Sequence, residues 1–190
     1  MAEGLIVAAG LSERTGGHYK MTLDFGGRTL VERSISGMAP FCSRIIVVTG
    51  HNSEIVKDAL AGYEGLEFVY NPDYREGMYS SIKAGLRHIS GDRFFFLPGD
   101  CPMVPAEVYA RLLEIDSEIV IPVYRNMKGH PVLFNHSVVE KILKNNSYTT
   151  LRQFIYANNP VFVEVGYSGI LIDIDTLEDY CKALEILNRR

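Results

Sequence analysis

Four groups of residues in this chain have the types and spacing to do chemistry. The first is Leu5-Ile-Val-Ala-Ala-Gly-Leu-Ser-Glu-Arg-Thr-Gly-Gly-His-Tyr-Lys20. Its opening residues, Leu5, Ile6, Val7 and Ala8, read as a buried strand of the kind found in parallel sheets. In the loop that follows, Ala9, Gly10, Gly16 and Gly17 project almost nothing, so the backbone can approach a ligand closely. Arg14 and Lys20 place positive charge at the loop's middle and end. Small residues, free N–H groups and two cations at the end of a strand suit a polyphosphate. The alternative is an ordinary strand–helix connection with surface charges, yet such connections typically run about 2–6 residues and this one is longer. Neither common phosphate template fits. Gly10-Leu-Ser-Glu-Arg-Thr-Gly16 lacks the second glycine of G-x-G-x-x-G, and Lys20 stands apart from Gly16 and precedes Met21, unlike G-x-x-x-x-G-K-[ST].

Asp100 closes Leu97-Pro-Gly-Asp-Cys-Pro102 at the end of an aromatic run. A carboxylate there suits Mg²⁺, which takes one or two carboxylates plus waters and substrate phosphates. It equally suits an aspartate that hydrogen-bonds its own turn. Asp173 and Asp175 alternate in Leu171-Ile-Asp-Ile-Asp-Thr-Leu-Glu-Asp179, and on a strand both carboxylates project from one face. Like charges that close repel unless a cation or a turn relieves them. Helix capping by Asp175 or Thr176 accounts for Asp175 but leaves Asp173 unexplained. The fourth group spans Asn71 to Gly85, with Gly77 and the hydroxyls of Ser80 and Ser81 at a helix start. Such groups can read a base edge or a ribose, or simply cap the helix.

These side chains need a scaffold, and the chain supplies strands of about five residues alternating with helices of about ten. Strands are expected over Leu5–Ala8, Arg44–Thr49, Leu66–Tyr70, Arg93–Leu97, Ile119–Val123, Val132–Phe134, Val161–Val165 and Ile170–Ile174. Between them, Thr29 caps a helix that Pro40 closes, Ser53 caps a short one, and Pro105 opens another. Gly77 to Leu86 reads as a helix, as do Val138–Leu143, Leu151–Tyr156 and a C-terminal helix from Thr176. The pattern predicts an α/β fold: a Rossmann-like, doubly wound sheet under three layers, forming a single domain over residues 1–190. In such a sheet ligands bind at the carboxyl ends of the strands. The loops Ala9–Lys20, Asn71–Ser81, Pro98–Pro102 and the one after Val123 should therefore lie together.

The bulk composition narrows the partners. The formal net charge is −4, so no global basic field argues for nucleic acid, and an anionic ligand must be held by local charge. No apolar run approaches the roughly 20 residues of a membrane span. The acidic start does not look like a signal peptide. Cys42, Cys101 and Cys181 are sparse and lack metal spacing, which fits free thiols in a reducing cytoplasm.

Taken in order, the motifs A-A-G-x-S-x-R with its following K and F-G-G, N-P with G-M-x-x-S-I-x-x-G, P-G-D-x-P, G-H-P-V-L-F and I-D-x-D-T-x-E-D resemble the MobA/MocA-like nucleotidyltransferases, especially the molybdenum cofactor cytidylyltransferases. The resemblance runs from Leu5 to Leu187 and implies the mixed sheet of the nucleotide-diphospho-sugar transferase type. It further implies transfer of a nucleotide monophosphate from an NTP to a phosphate acceptor, molybdopterin above all, with release of pyrophosphate. On it, Ala8, Ala9, Gly10, Arg14 and Lys20 wrap the triphosphate, and Arg14, Lys20 and Asp100 are the catalytic set. Asp100, Asp173 and Asp175 hold Mg²⁺, while Asn71, Gly77 and Ser81 lie by the base; no nucleophilic side chain is expected, and Cys101 is a bystander. Ala8-Ala9-Gly10 is nearer the cytidylyl-transferring members than the guanylyl-transferring ones, favouring CTP over GTP. The chain departs from the family pattern at Thr15, where methionine is usual, and by one extra residue between Arg14 and Lys20, which leaves the role of His18 open. Arg125, Lys128 and His130 lie on a loop placed to meet an acceptor. A sugar, alditol, choline or other small phosphate is the alternative acceptor, and a non-catalytic nucleotide-binding protein is the remaining reading.

Overall fold

The computed structural model describes residues 1–12, 19–145 and 147–189. At its centre lies β1 (Ala2–Ala8), every residue of which is buried. It pairs in parallel with β2 (Cys42–Thr49) on one edge, Leu5 opposite Ile46, and with β4 (Arg93–Pro98) on the other, Leu5 opposite Phe96. Beyond β2 runs β3 (Leu66–Tyr70), also parallel. Beyond β4 the sheet reverses: β7 (Val132–Asn135) is antiparallel both to β4 and to β5 (Ile119–Tyr124). The short β6 (Met127–Lys128) pairs antiparallel with β5, and β8 (Val161–Glu164) pairs parallel with it. The sheet is therefore mixed.

Alternation along the central strands sends side chains into two separate cores. Ile6 and Ala8 of β1, with Phe95 and Leu97 of β4, pack under α1 (Leu30–Met38), α2 (Ser53–Ala59) and α4 (Ala106–Leu113) through Val31, Ile35, Val56, Val108 and Leu112. Leu5 and Val7, with Phe94 and Phe96, face α3 (Met78–Leu86), α5 (Ser137–Lys144) and α6 (Leu151–Ala157) through Ile82, Leu86, Val138, Ile142 and Phe154. Each such side chain removed from water contributes roughly 1.5–3 kcal/mol, which is why these runs are apolar on both faces. A smaller cluster of Phe25, Leu30, Met103, Ile174 and Ala183 seats α7 (Leu177–Asn188) at one end. No described helix is long and apolar enough to cross a membrane. The cysteines are free: Cys42 and Cys101 are buried and Cys181 is exposed.

Local signals set most boundaries. Thr29 caps α1 in a reciprocal box with Glu32: Glu32 N donates to Thr29 Oγ1 at 3.3 Å and Thr29 N to Glu32 Oε2 at 2.6 Å. Three expectations need correction. First, β1 begins at Ala2 rather than Leu5. Second, Ser53 does not cap α2; Asn52 stands at the cap with φ 56°, and the Ser53 hydroxyl pairs with Thr49 Oγ1 at 2.8 Å instead. Third, Ile170–Ile174 is not a strand. Ser168–Leu171 forms a single 3₁₀ turn, and an irregular stretch runs on to α7. Apolar residues here satisfy packing rather than a sheet: Ile170 and Ile174 are buried, while the Ile170 carbonyl accepts from His130 N at 2.9 Å and Ile174 N donates to the Asp100 carbonyl at 3.0 Å.

Candidate active site

The loops leaving β1, β3, β4 and β5 do converge. They line a cleft of about 540 Å³ that includes Ala9, Gly10, Ser12, Lys20, Gly77, Ser81, Asp100, His130, Asp173 and Asp175. Each wall has an identifiable support. Ala8 and Ala9 are buried and Gly10 is exposed, so the chain emerges at the sheet edge with no side chain barring the cleft. Tyr19 ties the far end of this loop back, its hydroxyl donating to the carbonyls of Ala8 at 3.0 Å and His51 at 3.1 Å. Burial raises the Tyr19 phenol, keeping it a neutral donor. Next to it Lys20 opens a short 3₁₀ turn over Lys20–Thr22, with its own N–H on Ser12 Oγ at 3.2 Å. Arg14 and the substituted stretch Thr15–His18 lie outside the described residues.

The floor is the turn after β4. Gly99 N donates to the Val7 carbonyl at 2.9 Å, and the Gly99 carbonyl accepts from Ser34 Oγ of α1 at 3.0 Å. This turn holds Asp100, 7% exposed, under the Lys20 ammonium. Lys20 Nζ donates to Asp100 Oδ2 at 2.5 Å and to Asp175 Oδ1 at 3.1 Å. Burial by itself would lower the lysine, but Asp100 and then Asp175 outweigh it and hold Lys20 above the ordinary range. Lys20 is thus a fixed cation.

Asp175 reaches Lys20 because it is not the cap of α7. Thr176 is, in a box with Asp179: Asp179 N donates to Thr176 Oγ1 at 3.1 Å and Thr176 N to Asp179 Oδ2 at 2.9 Å. The expected strand with both aspartates on one face is absent, and irregular backbone presents Asp173 and Asp175 to the cleft instead. Burial raises the Asp173 carboxyl, and the charges of Asp100, Asp175 and Asp179 push it further up. Among the described residues no three His, Cys, Asp or Glu side chains already close on one metal position. Cys101 is sealed, and burial raises its thiol well above the usual value; it offers no nucleophile.

The third wall comes from the segment after β3. Asn71, fully buried, donates through Nδ2 to Ser80 Oγ at 3.0 Å and Ser81 Oγ at 2.9 Å, and its Oδ1 accepts from Asp73 N at 3.1 Å. Its amide is used within the protein, so Asn71 shapes the wall while Gly77 and Ser81 line it. Gly77 sits at φ +100°, a backbone setting that side chains rarely adopt, and nothing crowds the place where a Cβ would be. Close packing of α3 fixes its height. A Cβ on Gly85 would fall 2.3 Å from Leu5 Cδ1 and 2.6 Å from Val48 Cγ2.

Two lining residues carried no clear signal in the sequence: Tyr74 and Arg75 stand in the cleft beside Gly77 and the motif's Met78. Their only advance sign is position after the Asn71-Pro72 turn. His130, placed only loosely by sequence, sits at the boundary with a second cavity of about 890 Å³. That cavity has an apolar floor of Phe96, Ile121 and Ile155, and Lys128, Arg152 and Tyr156 on its wall. Burial pushes the His130 imidazole down to about 4 against the weaker pull of Asp100, and its Nδ1 is sealed without a partner among the described residues.

The profile of the MobA-like NTP transferase domain matches residues 4–161. The chain belongs to this family. It is a nucleotidyltransferase. This MobA-like chain is 30% identical over 182 residues to the molybdenum cofactor cytidylyltransferase of Escherichia coli K12, spanning 95% of its own length and 94% of the relative's. It is also 30% identical to a molybdenum cofactor guanylyltransferase of Rhodopseudomonas palustris, over 68% of its length and 63% of the relative's. Among solved structures, a nucleotidyl transferase from Methanothermobacter superposes with a TM-score of 0.85 at 21% identity, covering 100% of this chain and 98% of that one. That likeness concerns the fold, the nucleotide-diphospho-sugar transferase type.

Proposed function

We propose that this MobA-like enzyme moves CMP from CTP to a terminal phosphate of a small acceptor, molybdopterin, in a Mg²⁺-dependent reaction. A phosphate oxygen of the acceptor attacks the α-phosphorus of CTP, the bond to the bridging oxygen breaks, and pyrophosphate leaves with the electron pair. The observation that carries this reading is the meeting of Lys20 with Asp100 and Asp175 at the floor of the cleft. Ala8, Ala9 and Gly10 let a triphosphate approach the backbone, and Lys20 neutralises charge that grows on the departing phosphates. Arg14, by its place in the motif, adds a second cation. Gly77 and Ser81 face the base, with Asn71 holding Ser80 and Ser81 in position.

Asp100, Asp173 and Asp175 fit Mg²⁺: all are hard oxygen donors on the cleft, and Asp173 lies in a field of negative charge that a cation relieves. When bound, the ion draws charge from the phosphates and orients them. CTP is favoured over GTP by Ala8-Ala9-Gly10 and by the near full-length match to a cytidylyltransferase, against the shorter match to a guanylyltransferase. The second cavity, joined to the cleft at Gly77, Met78 and His130, has the size and mixed apolar–cationic lining for a phosphorylated ring system. A sugar, alditol or choline phosphate is the competing acceptor. Pyrophosphate release is measured with each NTP against a panel of these acceptors and molybdopterin. CTP with molybdopterin should give the fastest release, and Asp100→Ala should abolish it; undiminished release by that variant, or release with GTP alone, overturns the reading.

A further inference from the structure

We infer that Lys20 has a second role, as the resident counter-cation of the carboxylate set, so that a divalent ion enters together with the polyphosphate and not ahead of it. This rests on the reading of the cleft as a metal–triphosphate site. The lysine ammonium lies 2.5 Å from Asp100 Oδ2 and 3.1 Å from Asp175 Oδ1. Its side chain and that of Asp100 are each 11% exposed, so little water screens the contact. The backbone keeps it there: Lys20 N is held by Ser12 Oγ, and the Lys20 carbonyl accepts from Leu23 N at 3.2 Å. With the ammonium in place, no three carboxylates close on one position among the described residues. Two of the three donors, Asp100 and Asp175, are therefore engaged by a lysine.

A divalent cation arriving alone meets a fixed positive charge at hydrogen-bond distance from the ligands it needs, in surroundings where like charges repel strongly. A polyphosphate changes that. Its oxygens offer Lys20 an alternative anion, and moving the ammonium onto them releases Asp100 and Asp175 at the moment the metal's phosphate ligands arrive. Only Lys20 moves, and no bond is made or broken. Lys20 thereby selects the metal–nucleotide complex over either component alone.

Mn²⁺ binding to the nucleotide-free protein, read from the loss of the free-ion paramagnetic signal, tests this. Removing the charge in Lys20→Met or Lys20→Gln should tighten Mn²⁺ binding by about tenfold or more, as expected for lifting one nearby like charge. Lys20→Arg, which keeps the charge, should bind as weakly as the parent. Asp100→Asn added to Lys20→Gln should erase the gain. For the parent protein, adding CTP should raise Mn²⁺ uptake above the sum of what protein and CTP each take up alone, since CTP by itself chelates the ion. Equal Mn²⁺ affinity in the parent and both neutral variants, with CTP-dependent uptake intact, overturns the counter-cation role alone. Absence of any Mn²⁺ uptake beyond that sum overturns the metal reading beneath it.

Discussion

Replacing His130 with Gln should remove a specific part of the protein's acid sensitivity. In the unfolded chain the imidazole takes up a proton below about 6.5, its ordinary value. In the fold, burial against Phe96, whose ring meets it edge-on at 5.8 Å between centroids, holds it neutral down to about 4, with Asp100 opposing only in part. Between those two values unfolding takes up a proton, so stability falls as the pH drops through the interval and levels off below it. At about 1.4 kcal/mol per pH unit, that interval is worth about 3 kcal/mol. The measurement is urea unfolding of parent and His130→Gln at closely spaced pH from neutrality to about 4. Truncating the ring costs some stability at every pH, but the gap between the two curves should narrow by about 3 kcal/mol as the pH falls. Parallel curves would refute the buried neutral imidazole, because every other titrating group is common to both proteins.

Two further outcomes follow from packing and charge. Gly85→Ala gains about 1 kcal/mol of helix propensity but drives a methyl into Leu5 and Val48. The overpacking costs about 1–3 kcal/mol, so a net loss of about 1 kcal/mol in chemical unfolding should accompany a raised KM for the nucleotide, as α3 and Gly77 shift. A stabilised variant with unchanged KM would contradict that packing. Glu3, nearly fully buried, accepts from Arg44 Nε at 2.8 Å and Ser90 N at 2.9 Å. Burial alone would raise this carboxyl, but Arg44 and the backbone N–H groups of Gly91 and Ser90 hold it below the ordinary range. Its stabilisation is thus present above the unfolded value and lost as pH falls through the folded one. Glu3→Gln should cost about 2 kcal/mol at neutral pH and progressively less as the pH falls below the ordinary carboxylate range, read from the same unfolding curves.

What the sequence made legible was whatever is encoded locally. The central strands are continuous apolar runs because both faces are covered, and the Asn71-Pro72 turn carries its own chemistry. From strand order alone the loops bearing Lys20, Asp100 and Ser81 had to meet. The C-terminal stretch was misread for a physical reason. Ile170, Ile172 and Ile174 have the spacing of a strand, yet Gly169 presses against the Met103 carbonyl and Gly129 against the Ile170 carbonyl, each within 2.3 Å of where a Cβ would stand. Those distant contacts, not local propensity, fix the path that brings Asp175 to Lys20. The direct partnership of Lys20 with Asp100 spans 80 residues and leaves no periodic trace. Nor does the commitment of the Asn71 amide to Ser80 and Ser81, since an asparagine facing a ligand and one stapling a loop look identical as letters.

The position of β1 also has a bearing on how the chain is made. This strand is translated ahead of β4, whose first residue is Arg93, and needs it to cover its second edge. Until then a growing chain can build only the β1–β2–β3 half, with one flank of a strand that the finished fold buries along its whole length open to any partner. At about 5–20 residues per second the wait lasts several seconds. Open edges of that kind invite foreign strands. Ribosome-bound fragments stopped before Arg93 therefore form the window in which holding chaperones have most to protect, and a slow codon stretch placed there would lengthen exposure rather than assist folding.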